Sequence, residues 1–330
     1  MYDSSMGLPS NPAAWSEQNL SVARGQMGAA TAGDHAVFAG GFTGTAASDA
    51  VDIYDDVSGT WLVGPPLAQP RVVHSGGVGV GSKAYFAGGF VGQNVASDMI
   101  EIYDAQTGVW SMETLSTPRA LMGVAAVGNT VLFAGGTSSI GPHATVDVFN
   151  HGTQTWGPTQ LLSEGRFAMG ATGLGGKALF AGGATDGGPS TLVDIYEPVG
   201  VNFCTPIANS TGLASAITVS GSDSVQTNNL VLSANSLPAG QFGLFYHGDA
   251  QAQVPLGNGI RCVGGSVIRI LPPAQADASG NLVVALDNST AGGQGITMGV
   301  TRHFQAWYRD PAGGPAGFNF SDGISVTFTQ

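Results

Sequence analysis

Four copies of the tetrapeptide Phe-Ala-Gly-Gly divide the first 200 residues of this 330-residue chain into units of nearly equal length. The copies begin at Phe38, Phe86, Phe133 and Phe180, so successive copies are separated by 48, 47 and 47 residues. A fixed period in this range is typical of repeat proteins, in which each copy is one supersecondary unit. The period therefore predicts an array of similar units, each containing several short strands.

Three further residue types keep fixed positions in the units. An arginine precedes each tetrapeptide and opens an apolar run of small residues: Arg24, Arg71, Arg119 and Arg166. An acidic residue follows, within a segment whose apolar residues alternate with period two as in a β-strand: Asp52, Glu101, Asp147 and Asp194. Tryptophans mark a last strand: Trp15, Trp61, Trp110 and Trp156.

Together these features resemble the kelch repeat, whose units are the four-stranded blades of a β-propeller. The resemblance covers residues 1–200 and implies a role for each element. The small residues after the arginine would form the innermost strand, and the double glycine would allow a tight turn. The tryptophan would pack between neighbouring blades.

The two ends of the array do not match. The fourth unit has no tryptophan after Tyr196, whereas Trp15 stands alone before the first unit. The simplest expectation is that the segment around Trp15 completes the last blade and closes a ring of four, which hides both sheet edges. The alternative is an open array completed by sequence outside this one or by another chain.

Residues 201–330 lose the period and predict a separate antiparallel β-sandwich. Several strings there resemble a C-terminal domain of secreted bacterial proteins, among them Arg261-Cys-Val-Gly-Gly265 and Trp307-Tyr-Arg-Asp310. This resemblance implies export and an accessory role. Seven strands are predicted: 216–219, 230–234, 242–246, 267–270, 282–286, 303–308 and 324–328.

Cys204 and Cys262 are the two cysteines of the chain, which contains only two lysines. Such a pair fits one disulfide in an exported protein, and two buried free thiols are the alternative. We therefore expect an extracellular or cell-surface location. The residues after Met1 do not form a signal peptide, so a signal would have been removed or would lie upstream.

The periodic charges invite two interpretations. A ring of arginines and acids could bind an anion around the axis of a propeller. Four matched pairs also suggest ion pairs within or between blades, with the guanidinium groups bonding backbone carbonyls. We favour the structural interpretation, because catalytic residues rarely repeat with the symmetry of the architecture.

Composition and motifs exclude several function classes. A net charge of −12 argues against nucleic acid and anionic membranes, and no apolar run is long enough to span a bilayer. The six histidines form no close ligand pair, and the repeat region contains no cysteine, which kelch-type copper oxidases require. Asp56 to Trp61 resembles one sialidase Asp box, but the other units lack its aspartate. We predict no catalytic residues, metal or cofactor.

Ligands of propellers bind at loops on the faces. Phe42 and Phe90 follow the double glycine at equivalent positions, and they could offer a stacking surface for a sugar or an anchor for a protein; alternatively both tuck back onto their blades. Candidate ligand-binding residues are Phe42, Phe90, Gln93, Asn94 and Asp186. The sequence thus favours a non-catalytic binding or structural protein, with protein, polysaccharide or copies of itself as partner. An extracellular carbohydrate-active enzyme is the alternative.

Overall fold

The protein is all-β in the computed structural model, which describes residues 17–73, 76–92, 95–152, 154–174 and 176–330. Within these ranges the strands pair antiparallel throughout, and the single helical element is a 3-10 turn at Ala291–Gly293. The predicted all-β class is therefore confirmed. Trp15, Gln93 and Asn94 lie outside the described residues.

Four consecutive sheets, here called A to D, contain the four sequence repeats. Sheet A consists of β1 (Gly28–Ala32), β2 (His35–Ala39), β3 (Val51–Asp55) and β4 (Thr60–Val63). Sheet B consists of β5 (Gly77–Val80) and β6 (Lys83–Ala87), then, after a small hairpin of β7 (Phe90–Gly92) and β8 (Val95–Ala96), of β9 (Met99–Asp104) and β10 (Val109–Thr114).

Sheets C and D repeat this pattern with small differences. Sheet C contains β11 (Gly123–Val127) and β12 (Thr130–Ala134), then, after the hairpin of β13 (Thr137–Ser138) and β14 (Gly141–Pro142), β15 (Thr145–Asn150), β16 (Thr155–Trp156) and β17 (Gln160–Leu161). Sheet D has three strands: β18 (Gly170–Leu174) and β19 (Lys177–Ala181), then, after the hairpin of β20 (Ala184–Thr185) and β21 (Gly188–Pro189), β22 (Val193–Tyr196).

The period-two alternation of the sequence gives each sheet two different faces. In β3, for example, Val51 and Ile53 point to one side and are almost fully buried. Asp52 and Tyr54 point to the other side, where Tyr54 contacts Trp61. We call the side of Val51 the trailing face and the side of Tyr54 the leading face, and we use these names for the equivalent faces of sheets B, C and D.

Sheets A to D stack in chain order, trailing face against leading face. Three apolar clusters fill the contacts between A and B, between B and C, and between C and D. The first strands of the sheets also meet in this order, β1 with β5, β5 with β11 and β11 with β18. Across the part of the chain that is described, no apolar cluster joins D to A, so the structure gives the expected closed ring no support.

The rest of the chain forms two sheets, E and F, and a separate hairpin. Sheet E orders its strands β23-β32-β31-β26-β29, sheet F orders them β24-β25-β30, and β27 pairs with β28. Their bounds are β23 (Val201–Phe203), β24 (Ile217–Ser220), β25 (Val231–Ala234), β26 (Phe242–Gly248), β27 (Ala250–Leu256), β28 (Gly259–Gly264), β29 (Ile268–Gln275), β30 (Leu282–Ala285), β31 (Thr301–Arg309) and β32 (Phe318–Thr327).

One apolar core lies between sheets E and F, with Leu232 of F and Phe245 and Phe304 of E fully buried in it. Cys204 and Cys262 form a disulfide, with their Cα atoms 6.0 Å apart, and the predicted bridge is confirmed. It ties the residue after β23 to β28, so the start of this region is fastened to the hairpin.

The repeat region and the C-terminal region meet at the turn between β11 and β12. Asn129 donates its backbone N–H to the Asn202 carbonyl at 3.0 Å, and its side-chain amide to the Cys204 carbonyl at 2.8 Å. The predicted domain boundary, 1–200 and 201–330, falls beside this contact and stays a prediction. Of the residues described, none belongs to a helix long and apolar enough to cross a membrane.

Candidate functional site

Each periodic arginine is paired with the periodic acid of its own unit. Arg24 lies 2.7 Å from Asp52, and Arg71 lies 2.7 Å from Glu101. The remaining pairs are Arg119 with Asp147 and Arg166 with Asp194. All four guanidinium groups are completely buried, so a ligand has no access to these charges.

The guanidinium groups also donate to backbone carbonyls at or just beyond the end of the second strand in each sheet. Arg24 Nε donates to the Gly40 carbonyl at 2.8 Å, and Arg166 donates to the equivalent Gly182 carbonyl at 2.8 Å. Burial lowers the pKa of the Arg71 and Arg119 side chains, and the charge of each partner acid opposes this effect. The pairs thus act as internal crosslinks that hold the strand ends together.

Two of the tryptophans link their sheet to the one before it. Trp110 of sheet B donates its indole N–H to the Pro65 carbonyl, beyond β4, at 3.0 Å. Trp156 of sheet C donates to Glu113 of sheet B at 3.0 Å. Trp61 contacts Phe38 and Tyr54 of its own sheet, with ring centroids 5.6 and 5.5 Å away. The role expected for Trp15 falls in the segment that is not described.

The three candidate ligand-binding residues that the structure describes lie in three different units. Phe42 is 39% exposed, and its backbone pairs with Gly25, whereas Phe90 is half-buried and pairs with Val72. Asp186 is exposed in the turn between β20 and β21. The described part of the chain shows no contact among Phe42, Phe90 and Asp186, and their part in ligand binding stays a prediction.

The trailing face of sheet D is the most unusual surface of the repeat region. Val193 and Ile195 of β22 are 51% and 55% exposed. Their equivalents in sheet A, Val51 and Ile53, are 1% and 2% exposed. The difference does not come from residue type, because both pairs are branched aliphatic residues. It arises because sheets A, B and C are each followed by another sheet.

Glycines at equivalent positions of the first strands report the same difference. A Cβ atom at Gly28 of sheet A would lie 2.8 Å from Phe86 of sheet B. A Cβ atom at Gly123 of sheet C would lie 3.0 Å from Phe180 of sheet D. At Gly170 of sheet D, the nearest atom would be the carbonyl oxygen of Ala181, 3.8 Å away in the same sheet. Among the described residues, none takes the place at Gly170 of sheet D that a neighbour's phenylalanine takes at Gly28 and Gly123.

Successive units are also joined by a backbone hydrogen bond, for which sheet D has no described partner. Gly41, Gly89 and Gly136 each donate an N–H to the carbonyl of the next unit's arginine, at 2.9, 3.0 and 2.8 Å. The acceptors are Arg71, Arg119 and Arg166. Gly183, the equivalent glycine of sheet D, has no acceptor among the described residues, and the Arg24 carbonyl of sheet A has no donor among them.

The leading face of sheet A is the complementary surface, and no described sheet covers it. Phe38 and Tyr54 on this face are half-buried, whereas their equivalents in sheet B, Phe86 and Tyr103, are 0% and 4% exposed beneath sheet A. The array thus ends in two unlike surfaces: an aliphatic trailing face on D and an aromatic leading face on A. These are the same two surface types that meet at each of the three internal contacts.

The described residues contain no group of three or more His, Cys, Asp or Glu side chains that could hold a metal. Asp322 has a pKa raised by complete burial, but it accepts hydrogen bonds from the Ile217 backbone and the Asn202 side chain and faces no open cleft. Comparison with models of known protein families and with curated proteins finds no match.

Proposed function

We propose that the chain is a non-catalytic binding and structural protein of the cell exterior, built as an arc of four kelch-like propeller blades followed by a β-sandwich. In this proposal the open ends of the arc join copies of the chain, trailing face of D against leading face of A. The exposure of Val193 and Ile195, whose equivalents are buried in sheets A and B, carries the proposal.

The internal contacts favour another copy as the partner. Three times within the chain, an aliphatic trailing face is covered by a leading face that contains a phenylalanine, Phe86, Phe133 or Phe180. The leading face of sheet A, with Phe38, is the one such surface that the described residues leave uncovered. A second copy would also supply Arg24 as the acceptor for Gly183. Because the two surfaces differ, the contact is head-to-tail and leads to rings or filaments.

Three observations support an exterior location. The Cys204–Cys262 disulfide is of a kind that persists in oxidising compartments. The C-terminal sequence strings resemble a domain of secreted proteins. The low content of charged side chains, 10%, fits a surface made largely of Ser, Thr, Asn and Gly residues.

The alternative, a carbohydrate-active enzyme, requires two carboxyl groups flanking a substrate in an open cleft. The four periodic acids do not fit this role, since each is paired with a buried arginine. We therefore propose binding and assembly.

Sedimentation velocity over a range of concentrations tests this proposal. The wild type should form dimers or larger species as its concentration rises. The variant Val193→Lys/Ile195→Lys should stay monomeric, because two charges would be buried at the contact. Val283→Lys is the matched control, since it also places a lysine at an exposed valine. Val283 is 56% exposed and lies on sheet F, outside the repeat region. It should assemble like the wild type.

Two outcomes would overturn assembly. The first is a wild type that stays monomeric up to about 100 μM, a concentration at which even a weak specific contact forms. The second is a monomer whose free energy of unfolding falls strongly in the Val193→Lys/Ile195→Lys variant. In that case the face is covered by the chain itself, as ring closure would require.

A further inference from the structure

A cleft lies in the C-terminal region, between the outer face of sheet E and the hairpin β27–β28. Its volume is about 400 Å³, within the range of small-molecule sites. It lies on the opposite side of sheet E from the main core, and it does not involve the end faces of the repeat array. Residues that line it include Leu244, Tyr246, Leu256, Arg261, Arg269 and Trp307.

These six residues come from five strands, and strand pairing within sheet E aligns four of them. Trp307 of β31 lies opposite Leu244 of β26, and Arg269 of β29 lies opposite Tyr246 of β26. Tyr308, next to Trp307, points the other way and is fully buried in the core between E and F. Trp307 itself is half-buried, so part of its ring faces the cleft.

The wall of the cleft is held in place by a hydrogen-bond network around Gln305. The Tyr246 hydroxyl donates to Gln305 Oε1, which also accepts the backbone N–H of Cys262 at 2.8 Å. The Gln305 amide donates to the carbonyls of Ile260 and Ser321, at 2.9 and 2.6 Å. The network joins sheet E to the hairpin, and the disulfide at Cys262 adds a covalent link. The cleft is therefore preorganised for a ligand, which reduces the entropy lost on binding.

The two arginines of the cleft are unlike those of the repeats. Arg261 and Arg269 form no ion pair with any acid in the described part of the chain, whereas the four repeat arginines are all paired. Arg261 is half-buried, and its Nε is shielded from solvent without a hydrogen-bond partner. In a chain of net charge −12, two unpaired guanidinium groups beside one apolar wall form a local positive site.

The chemistry of this wall selects a class of ligand. Guanidinium groups bind carboxylates through paired N–H donors, and aromatic rings bind the apolar part of a ligand. The net charge of −12 repels polyanions, which leaves ligands with a single negative charge. We propose that the cleft binds an amphipathic monocarboxylate, with its carboxylate at Arg261 and Arg269 and its apolar body against Trp307 and Tyr246.

Titration calorimetry with 4-phenylbutyrate and with its neutral analogue 4-phenylbutanamide tests this inference on the full-length protein. The acid should bind at least about tenfold more tightly than the amide, since charge-assisted bonds are about twice as strong as neutral ones. Arg269→Gln should weaken binding of the acid about tenfold and leave binding of the amide unchanged. Arg261→Gln should have the same effect, and Trp307→Ala should weaken the binding of both ligands.

Arg309→Gln is the matched control, because Arg309 is an exposed arginine on the same sheet and does not line the cleft. Arg269 is itself exposed, so its substitution tests the site even if Arg261→Gln impairs folding. A peptide ending in leucine, with a free or an amidated C-terminus, distinguishes the source of the carboxylate. Tighter binding of the free-acid peptide than of 4-phenylbutyrate identifies a chain end as the ligand, and weaker binding identifies a small acid.

Equal affinity for the acid and the amide would overturn the inference, as would an unchanged affinity for the acid in Arg269→Gln. Absence of binding by any probe up to about 10 mM would overturn it as well. None of these results depends on assembly, because the Val193→Lys/Ile195→Lys variant retains the whole cleft. The two proposals therefore fail independently.

Discussion

Arg71 and Glu101 form a buried ion pair in which Nη1 of the guanidinium lies 2.7 Å from Oε2 of the carboxylate. The other carboxylate oxygen accepts the backbone N–H of Ala68 at 2.6 Å, and Arg71 also donates to the Phe86 carbonyl at 3.1 Å. One pair thus connects three segments of the chain: the linker before the unit, the second strand and the third strand.

Removing one partner of this pair should be strongly destabilising. Glu101→Gln leaves the guanidinium of Arg71 buried without its counter-charge, and we expect a loss of about 3–5 kcal/mol in the free energy of unfolding. Urea denaturation followed by circular dichroism measures this loss. Lys177→Ala provides the control, because the Lys177–Glu197 pair is exposed and should contribute less than about 1 kcal/mol. Similar losses in both variants would contradict a structural role for the buried pair.

The Cys204–Cys262 disulfide should stabilise the C-terminal region substantially. The bonded residues are 58 positions apart, and closing a loop of that length stabilises by about 4 kcal/mol in the chain-entropy model. Cys204→Ser/Cys262→Ser should therefore unfold at a lower urea concentration than the wild type. Reduction of the wild type should cause the same shift. If the variant and the oxidised wild type unfold at the same urea concentration, the bridge does not contribute to stability.

His151 should make the repeat region sensitive to mild acid. Its Nδ1 lies 2.7 Å from the Tyr85 hydroxyl, and burial, aided by the charge of Lys83, lowers its pKa to about 4. The unfolded chain has a histidine pKa of about 6.5, so it binds the proton more readily than the folded chain between these values. Stability should thus be constant above about pH 6.5 and fall by about 3 kcal/mol as the pH drops to 4.

Unfolding free energies measured between pH 7 and pH 4.5 check this expectation. His143, His247 and His303 also have pKa values lowered by burial and contribute with the same sign. The variant His151→Gln should therefore retain part of the acid sensitivity. The number of protons that the chain takes up on unfolding should fall by up to one. Parallel pH curves for the variant and the wild type would contradict the assignment to His151.

Local sequence pattern predicts the parts of the fold that repeat. Period-two alternation places strands such as Val51–Asp55, and the matched charges anticipate the pairing of residues such as Arg71 and Glu101. Hairpin β27–β28 is absent from the predicted strands. Ala250–Leu256 alternates apolar and polar residues, but two of the apolar ones are alanines and Pro255 interrupts the run, so its strand signal is weak.

The open ends and the cleft depend on contacts between distant segments, which one sequence does not reveal. Val193 and Ile195 stand in the same sequence pattern as Val51 and Ile53. Whether these side chains are buried or exposed depends only on whether another sheet packs on them. In the cleft, Arg261 and Trp307 are 46 positions apart and meet through strand pairing and the fold of the hairpin. The tryptophan motif suggested an unpaired end, but it did not identify the face.

The equivalent glycines of the first strands give the sharpest test of the open end. Gly28→Ala should destabilise the protein by about 1–3 kcal/mol, because the new methyl group would lie 2.8 Å from both Phe86 and Val73. Gly170→Ala should leave the free energy of unfolding unchanged or slightly raised, because its methyl group lies no closer than 3.8 Å to any described atom and alanine restricts the unfolded chain. Urea denaturation of both variants at a concentration where the wild type is monomeric compares them directly. Where copies assemble, Gly170→Ala should weaken association, since the methyl group would then meet Phe38 of the next copy as Gly28 meets Phe86. A loss of monomer stability in Gly170→Ala equal to that in Gly28→Ala would show that the trailing face of sheet D is already covered.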